Sequence, residues 1–283
     1  MRIILRILWR VLTSPFRWIG TIFREFKTFF IEEPDDIPLA DSIKKVVDQP
    51  GDILIHLDAL RKHLFRAVGF LALTTILSFV FTSQIIDLLA KPIGGISKLV
   101  AIDPTEPLGV FMRVALLSGF AIAFPYIALE LWLFTAPGLK KDARLFGLAA
   151  IPIATLFFIG GMAFAYFVMM PAALPFLINF MGLTTQVRPS SYIRFVTGLM
   201  FWIGVAFEFP LVIYILARVG LVNGKMLASQ WRLAIVLIAV GAAAITPTVD
   251  PVNMALVMGP MIVLYFLSIF LAMIAQRNRA RTT

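Results

Sequence analysis

Long apolar segments separated by short polar ones dominate the chain from about residue 64 onward. The apolar segments span roughly residues 64–89, 108–134, 145–169, 192–217, 233–245 and 254–275. A helix of about 20 apolar residues crosses the roughly 30 Å hydrocarbon layer of a bilayer and satisfies its backbone polar groups internally. The pattern therefore predicts an all-α polytopic membrane protein with six transmembrane helices, formed by residues 56–279.

The fifth apolar segment is too short to cross an unperturbed bilayer. As a helix, residues 233–245 are about 20 Å long at roughly 1.5 Å per residue. The sequence TPTVDP follows directly, and we expect Pro247 and Asp250 to shape a structural hairpin before the sixth segment. This arrangement predicts that the last two spans are short and that the body is concave.

The composition agrees with a membrane location and narrows the possible chemistry. Hydrophobic residues make up 60% of the 283 residues and charged residues 14%, against about 25% charged residues in soluble domains. The chain has no cysteine, and its two histidines, His56 and His63, lack the additional ligands of a metal site. Phosphate-binding and hydrolase motifs are absent from the sequence. We therefore expect no enzymatic activity, no cofactor or metal, and no nucleic-acid partner.

The N-terminal segment predicts a basic amphipathic helix over residues 1–31. Its basic residues fall within an arc of about 100° on a helix, and apolar residues fill much of the remaining surface. These residues are Arg2, Arg6, Arg10, Arg17, Arg24 and Lys27. We expect this helix to lie on anionic lipids, or alternatively to pack on the protein's own surface. Residues 32–55 are acidic and interrupted by prolines, which predicts a linker.

Basic residues in the loops predict the orientation of the spans. The loops after the second and fourth segments and the C-terminal tail are basic, with Lys140, Lys141, Arg144, Arg218, Lys225, Arg232, Arg277, Arg279 and Arg281. The alternate loops carry fewer basic residues. Since loops rich in lysine and arginine stay on the cytoplasmic side, we expect both termini to be cytoplasmic.

Glu208 is the ionisable residue expected deepest in the membrane. It lies ten residues before Arg218, hence about 15 Å from the surface, where a charged side chain costs roughly 2.5–3.5 kcal/mol. Pro210 removes a backbone N–H two residues later. Together these residues predict a hydrated pocket near the midplane. A protonated glutamate bonded to a neighbouring helix is the alternative.

Seven motifs carry a family resemblance. They are HLDALRKHL (56–64), PTEPL (104–108), AFPYIALELWLFTAPGL (123–139), FAYFVMMPAALPFL (164–177), GVAFEFPLVIYIL (204–216), ITPTVDP (245–251) and LYFLSIF (264–270). In their order, their spacing and the predicted topology, residues 50–279 resemble the TatC subunit of the twin-arginine protein translocase.

The resemblance implies a glove-shaped receptor in the cytoplasmic membrane of a prokaryote or in a plastid. Such receptors bind folded precursors through a signal peptide that bears two adjacent arginines. They assemble with single-span TatA- and TatB-type subunits, and we expect several copies of the chain in one receptor complex. The protonmotive force drives transport, and no nucleotide or prosthetic group takes part.

The resemblance also implies which residues bind the signal peptide. Arg61 and Lys62 match basic residues of the family's cytoplasmic recognition surface, and Phe134 and Pro137 match the start of its first cytoplasmic loop. Glu208 matches an intramembrane acidic position associated with the cavity and with partner contacts.

Two glutamates that the family uses to bind the arginines are missing from this chain. Ala59 and Ala143 stand at those positions, beside Asp58 and Asp142. A shift of one residue rotates a side chain by about 100° on a helix. Glu130 stands where the family commonly has glutamine. Our hypothesis is that Glu130, with Asp142 and Asp58, rebuilds the acidic site at shifted positions.

Two other functions compete with the receptor. One is a secondary transporter that moves a proton or solute through a midplane site at Glu208. The other is a divergent TatC-like membrane scaffold in which the basic N-terminal helix is the working part. The absence of an internal repeat and the scarcity of polar residues in the other spans disfavour the transporter.

Overall fold

The structure, a computed structural model, describes residues 50–138, 141–178, 186–246 and 251–279, without the side chains of 50–55, 138, 141–143, 145 and 278–279. The basic segment 1–31, most of the linker, and Pro247 and Asp250 therefore lie outside the described residues, as does the side chain of Asp142. Within those ranges the chain is helical, with one isolated β-bridge between Leu99 and Val187. The predicted all-α class is confirmed.

The first predicted span contains a sharp bend. Helix α1 (Pro50–Ser78) ends in a turn whose N–H groups donate to carbonyl groups three residues earlier, and α2 (Thr82–Ala90) follows. The axis turns by 77° at this break. The hydroxyl groups of Tyr166 and Tyr192 donate to the carbonyl oxygens of Leu88 and Leu89, both at 2.6 Å, and so hold the end of α2 against the core.

Residues 106–178 contain two long apolar helical segments, separated by a short turn. Helix α3 (Glu106–Thr135) is followed by a short 3-10 turn (Ala136–Gly138), by α4 (Lys141–Phe164), by a π-helical turn (Ala165–Met169) and by α5 (Met170–Ile178). The π-helical turn ends two residues before Pro171, whose ring nitrogen has no hydrogen to donate back into it.

Within residues 186–246 and 251–279 the chain forms five helices of unequal length. They are α6 (Pro189–Phe207), α7 (Phe209–Val219), α8 (Gly224–Ser229), α9 (Trp231–Ile245) and α10 (Pro251–Arg279). A left-handed glycine ends α7, because Gly220 has φ +92° and its N–H reaches the carbonyl groups of Leu216 and Ala217.

The two ends of the bundle differ in the residues they hold. We call the end with the start of α1, the end of α3 and the end of α7 the near end. We call the end with α2 and the starts of α3 and α6 the far end. Large apolar side chains such as Leu77, Leu156, Phe167 and Val263 are exposed around the bundle between the two ends, as a lipid-facing surface requires.

Small residues let the helices approach each other closely. A Cβ atom added to Gly119 on α3 would lie 2.6 Å from the Cα of Thr75 on α1, and one added to Gly161 on α4 would lie 2.8 Å from the Cα of Gly204 on α6. The hydroxyl of Thr74 donates to the carbonyl oxygen of Gly119 at 2.9 Å. Close backbone approach through small residues is typical of helix pairs in lipid.

Four helical segments are long and apolar enough to span a membrane, or five if the bent α1–α2 pair counts as one span, among the described residues. Helix α9, with 15 residues, is short, as predicted. The prediction that the last span is also short is wrong, because α10 extends over 29 residues. Its helix continues past the apolar stretch through Gln276, whose side-chain amide donates to the carbonyl oxygen of Val222 at 3.3 Å.

Candidate functional site at the near end

The charged start of α1 packs against the end of α3. The His56 ring lies 4.6 Å from the Phe134 ring, centroid to centroid, and the His63 ring lies 6.3 Å from it in an edge-to-face arrangement. The two histidines are seven residues apart and therefore occupy the same side of α1. Phe134 is thus the aromatic contact that joins the two predicted segments of the recognition surface.

Glu130 is buried one helical turn before Phe134, and each of its carboxylate oxygens has a partner. The hydroxyl of Tyr126, four residues earlier on α3, donates to Oε1 at 2.5 Å. Nδ1 of His63 lies 2.6 Å from Oε2, and in the tautomer that carries its hydrogen on Nδ1 this N–H donates to the carboxylate. The Glu130 side chain is 4% exposed, whereas that of His63 is 21% exposed. The three side chains form a polar network between α1 and α3.

The other charged residues of this stretch point away from α3. Lys62 Nζ lies 2.7 Å from Asp58 Oδ2, and both side chains are more than half exposed. The Arg61 guanidinium lies 5.6 Å from the centroid of the exposed Phe65 ring. These residues form a solvent-facing surface of mixed charge, separate from the buried Glu130.

Position 59 lies on the side of α1 that faces α3. Ala59 is four residues before His63, so the two side chains share one face of the helix. Asp58 is rotated from that face by about 100°. The structure therefore brings Glu130, and not Asp58, to the side of α1 on which Ala59 stands.

A buried arginine forms a hydrogen bond to the loop that follows α3. Pro137 is exposed in the 3-10 turn, and its carbonyl oxygen accepts a hydrogen bond from Nη2 of Arg144 at 3.2 Å. Arg144 is itself buried, with 7% exposure. Asp142 lies in the first turn of α4. In the sequence, Arg144 indicates only the orientation of the spans in the membrane. Its contact with the loop could not be predicted.

Glu208 stands at the break between α6 and α7. Helix α6 ends at Phe207 and α7 begins at Phe209, because Pro210 offers no N–H to continue the ladder. Oε1 of Glu208 is buried and has no hydrogen-bond partner among the described residues. Glu208, the ionisable residue predicted within the membrane, therefore has one carboxylate oxygen without a partner among the described residues.

Two apolar grooves meet at Glu208. One, of about 610 Å³, lies between the α6–α7 break, α9 and α10 and includes Leu237 and Tyr265. The other, of about 460 Å³, lies between α3, α4 and α7 and reaches from Glu208 to Arg218 at the near end. The Arg218 guanidinium lies 4.2 Å from the centroid of the Phe146 ring beside this second groove.

Comparison with known proteins identifies the family. The profile of the family described as Sec-independent protein translocase protein (TatC) matches residues 55–260. This is a TatC-family protein.

Individual proteins similar to this chain also belong to the TatC family. The TatC protein of Deinococcus radiodurans is 38% identical over 226 residues, which is 77% of this chain and 84% of that protein. TatCd of Bacillus subtilis is 34% identical over 228 residues, 80% of this chain and 93% of that protein. Two crystal structures of a twin-arginine translocase receptor, TatC, match with TM-scores of 0.69 and 0.71 at 32% and 33% identity. They cover 78% and 77% of this chain and 99% of each matched chain.

The TatC-family membership confirms the resemblance recognised from the motifs and the predicted class of polytopic membrane protein. It also makes the chain a component of a protein translocase. The site residues do not follow from membership, because they depart from the family pattern where the acidic groups are expected.

The far end of this TatC-family chain carries a second polar link. Nε of Arg188, before α6, donates to Oε1 of the buried Glu106 at 2.9 Å, and its Nη2 forms an ion pair with the same oxygen. Nearby, the backbone N–H and the hydroxyl of Thr105 donate to Oδ1 of Asp103, which lowers the pKa of that carboxyl below its ordinary value. This link ties the start of α3 to the start of α6.

Proposed function

We propose that this chain is the receptor subunit of a twin-arginine protein translocase in the cytoplasmic membrane, with both termini and the near end facing the cytoplasm. It binds the signal peptides of folded precursors and assembles with single-span TatA- and TatB-type subunits for export driven by the protonmotive force. The family membership and the basic residues of the near-end loops support this proposal.

The observation that carries the proposal is a buried carboxylate beneath a solvent-exposed, charged helix end. Glu130 lies between α1 and α3, next to Phe134 and close to the exposed surface that contains Arg61 and Lys62. A guanidinium binds a carboxylate through two parallel hydrogen bonds, which an ammonium group cannot reproduce. A buried carboxylate at this place therefore favours peptides with arginine over peptides with lysine.

Among the three carboxylates predicted to receive the arginines, Glu130 has the strongest geometric support. Asp58 is exposed, points away from α3 and pairs with Lys62. Glu130 reaches from α3 to the side of α1 on which the family glutamate, replaced here by Ala59, is expected. Asp142, in the first turn of α4, remains a further candidate beside the loop at Pro137.

The groove of about 610 Å³ beside Glu208 suits a transmembrane helix of a partner subunit. Its lining is apolar apart from a few groups that include Glu208 and Gln230. A single-span helix with one polar residue at its midplane would supply a hydrogen bond to Oε1 of Glu208. Lipid binding by residues 1–31 and the number of copies in the complex remain predictions.

Complementation of a TatC-deficient strain tests the proposed function. A folded reporter with an RR signal should be exported when this chain is expressed with its single-span partners, and the same reporter with a KK signal should not. In parallel, the purified full chain in lipid nanodiscs should bind a labelled RR peptide more tightly than its KK counterpart. Absence of RR binding, or failure to export the RR reporter, would overturn the proposal.

A further inference from the structure

The polar network around Glu130 contains a histidine that the proposed function leaves unexplained. His63 occupies Oε2 of Glu130, and Tyr126 occupies Oε1. Each oxygen still has a second lone pair, but the Glu130 side chain is only 4% exposed, so an incoming guanidinium has no open approach to the carboxylate in this arrangement. Either Glu130 takes no part in binding, or one of its two partners gives way.

Of the two hydrogen-bond partners of Glu130, His63 is the one that can move away more easily. Its side chain is 21% exposed, whereas Glu130 is nearly closed off from solvent. It also meets the Phe134 ring edge-to-face, at 6.3 Å between centroids. Tyr126, in contrast, stands on the same helix as Glu130, one turn away, and its ring packs 4.4 Å from the ring of Phe70. The solvent side of Glu130 is thus the side on which His63 sits.

We propose that His63 occupies the binding position of a signal-peptide arginine, and that the peptide binds when its guanidinium replaces the His63 imidazole on Oε2 of Glu130. This inference rests on the proposed receptor function. The buried carboxylate keeps a hydrogen-bond donor in both states, so it is never left without one.

The chemistry of the two donors favours the exchange for arginine. An imidazole presents one N–H to a carboxylate oxygen, whereas a guanidinium presents two in a planar fork and carries its charge at every physiological pH. A lysine ammonium is a more strongly hydrated point charge without that fork. His63 is therefore a specificity-determining residue, because a ligand must compete better than the imidazole in order to reach Glu130.

Variants of the two residues should change binding in opposite directions. We expect His63→Ala to bind the RR peptide more tightly than the wild type, because the competitor has gone. Glu130→Gln should weaken binding by about tenfold or more, which corresponds to the loss of one hydrogen bond to a charged group. The double variant should bind like Glu130→Gln, because without the carboxylate His63 has nothing to block.

His56→Ala is the matched control. His56 stands on the same side of α1 and packs against the same Phe134 ring, but it makes no described contact with Glu130. Loss of packing on Phe134 should therefore not raise the affinity for the RR peptide. If His63→Ala and Glu130→Gln both weaken binding, the network is a structural clamp and the exchange is wrong.

A measurement on the unaltered chain avoids any loss of folding in the variants. The chain has two histidines, so modification by diethyl pyrocarbonate can be assigned to each by mass spectrometry. The RR peptide should accelerate modification of His63, while the KK peptide should not, with His56 as the internal reference. An unchanged or slower rate at His63 with RR peptide bound overturns the exchange. Absence of RR binding to the wild type instead overturns the receptor function itself.

Discussion

Three glutamates in the described part of the chain differ in what their carboxylate oxygens contact. Glu130 is bonded to Tyr126 and His63. Glu106 is paired with Arg188 through Oε1, whereas its Oε2 and the Oε1 of Glu208 have no hydrogen-bond partner among the described residues. The position of Glu208 was predictable, because an ionisable residue is conspicuous in an apolar segment. Arg188 and His63, which reach Glu106 and Glu130 from other parts of the chain, lie 82 and 67 positions away, and no local pattern reveals them.

Replacing Arg188 should destabilise the protein more than replacing Lys62. Arg188→Ala leaves the buried Glu106 without its cation, and we expect a cost of about 2 kcal/mol, below the usual range for buried pairs because Arg188 is partly exposed. Lys62→Ala breaks an exposed pair and should cost less than about 0.5 kcal/mol. Thermal unfolding in detergent compares the two. Equal melting temperatures would show that the far-end pair does not stabilise the fold.

Breaks in the helices place the polar groups where they are found. The break at Glu208 follows from Pro210, and the sequence identifies it. The 77° bend between α1 and α2 lies in an apolar stretch that shows no proline or glycine between Thr74 and Lys91, so the pattern predicted a continuous span. Packing of Ile86 and Leu89 into the core, with the tyrosine hydroxyls on the end of α2, decides the bend.

Adjacent glycines on α4 test how closely the helices must approach. Gly161→Ala should destabilise the protein, because the new methyl group would lie 2.8 Å from the Cα of Gly204, whereas nothing lies within 4 Å of a Cβ added to Gly160. Gly160→Ala should be neutral or slightly stabilising, since alanine favours a helix by about 1 kcal/mol over glycine. Melting temperatures in detergent distinguish the two variants. If both variants unfold at the same temperature, close contact between α4 and α6 is not required.

The arrangement of the helices divides the surface into two ends and an apolar belt. The basic loops and the Glu130 network lie at the near end, and the Glu106–Arg188 link lies at the far end. Helix α9 is about 22 Å long at 1.5 Å per residue, shorter than the hydrocarbon layer. A six-span topology therefore depends on whether this short helix crosses.

Cysteine labelling tests the topology without interference, because the chain contains no native cysteine. We expect Ser97→Cys and Val252→Cys, both exposed at the far end, to react with a membrane-impermeant maleimide in intact cells. Ser229→Cys, at the near end before α9, should react only after permeabilisation. If the cysteines at positions 252 and 229 react from the same side, α9 does not cross the membrane.

The length and spacing of the apolar segments were enough to establish the membrane class, the approximate helices and the family motifs, because a lipid environment forces each span to satisfy its own backbone. The placement of Glu208 beside Pro210 follows from the same local pattern. The packing of α1 on α3 decided that Glu130 is buried beneath His63 while Asp58 faces solvent. Side chains that meet across two helices depend on the rotation of each helix about its axis, and that rotation is set by contacts such as those of Thr74 and Phe134 rather than by any single segment.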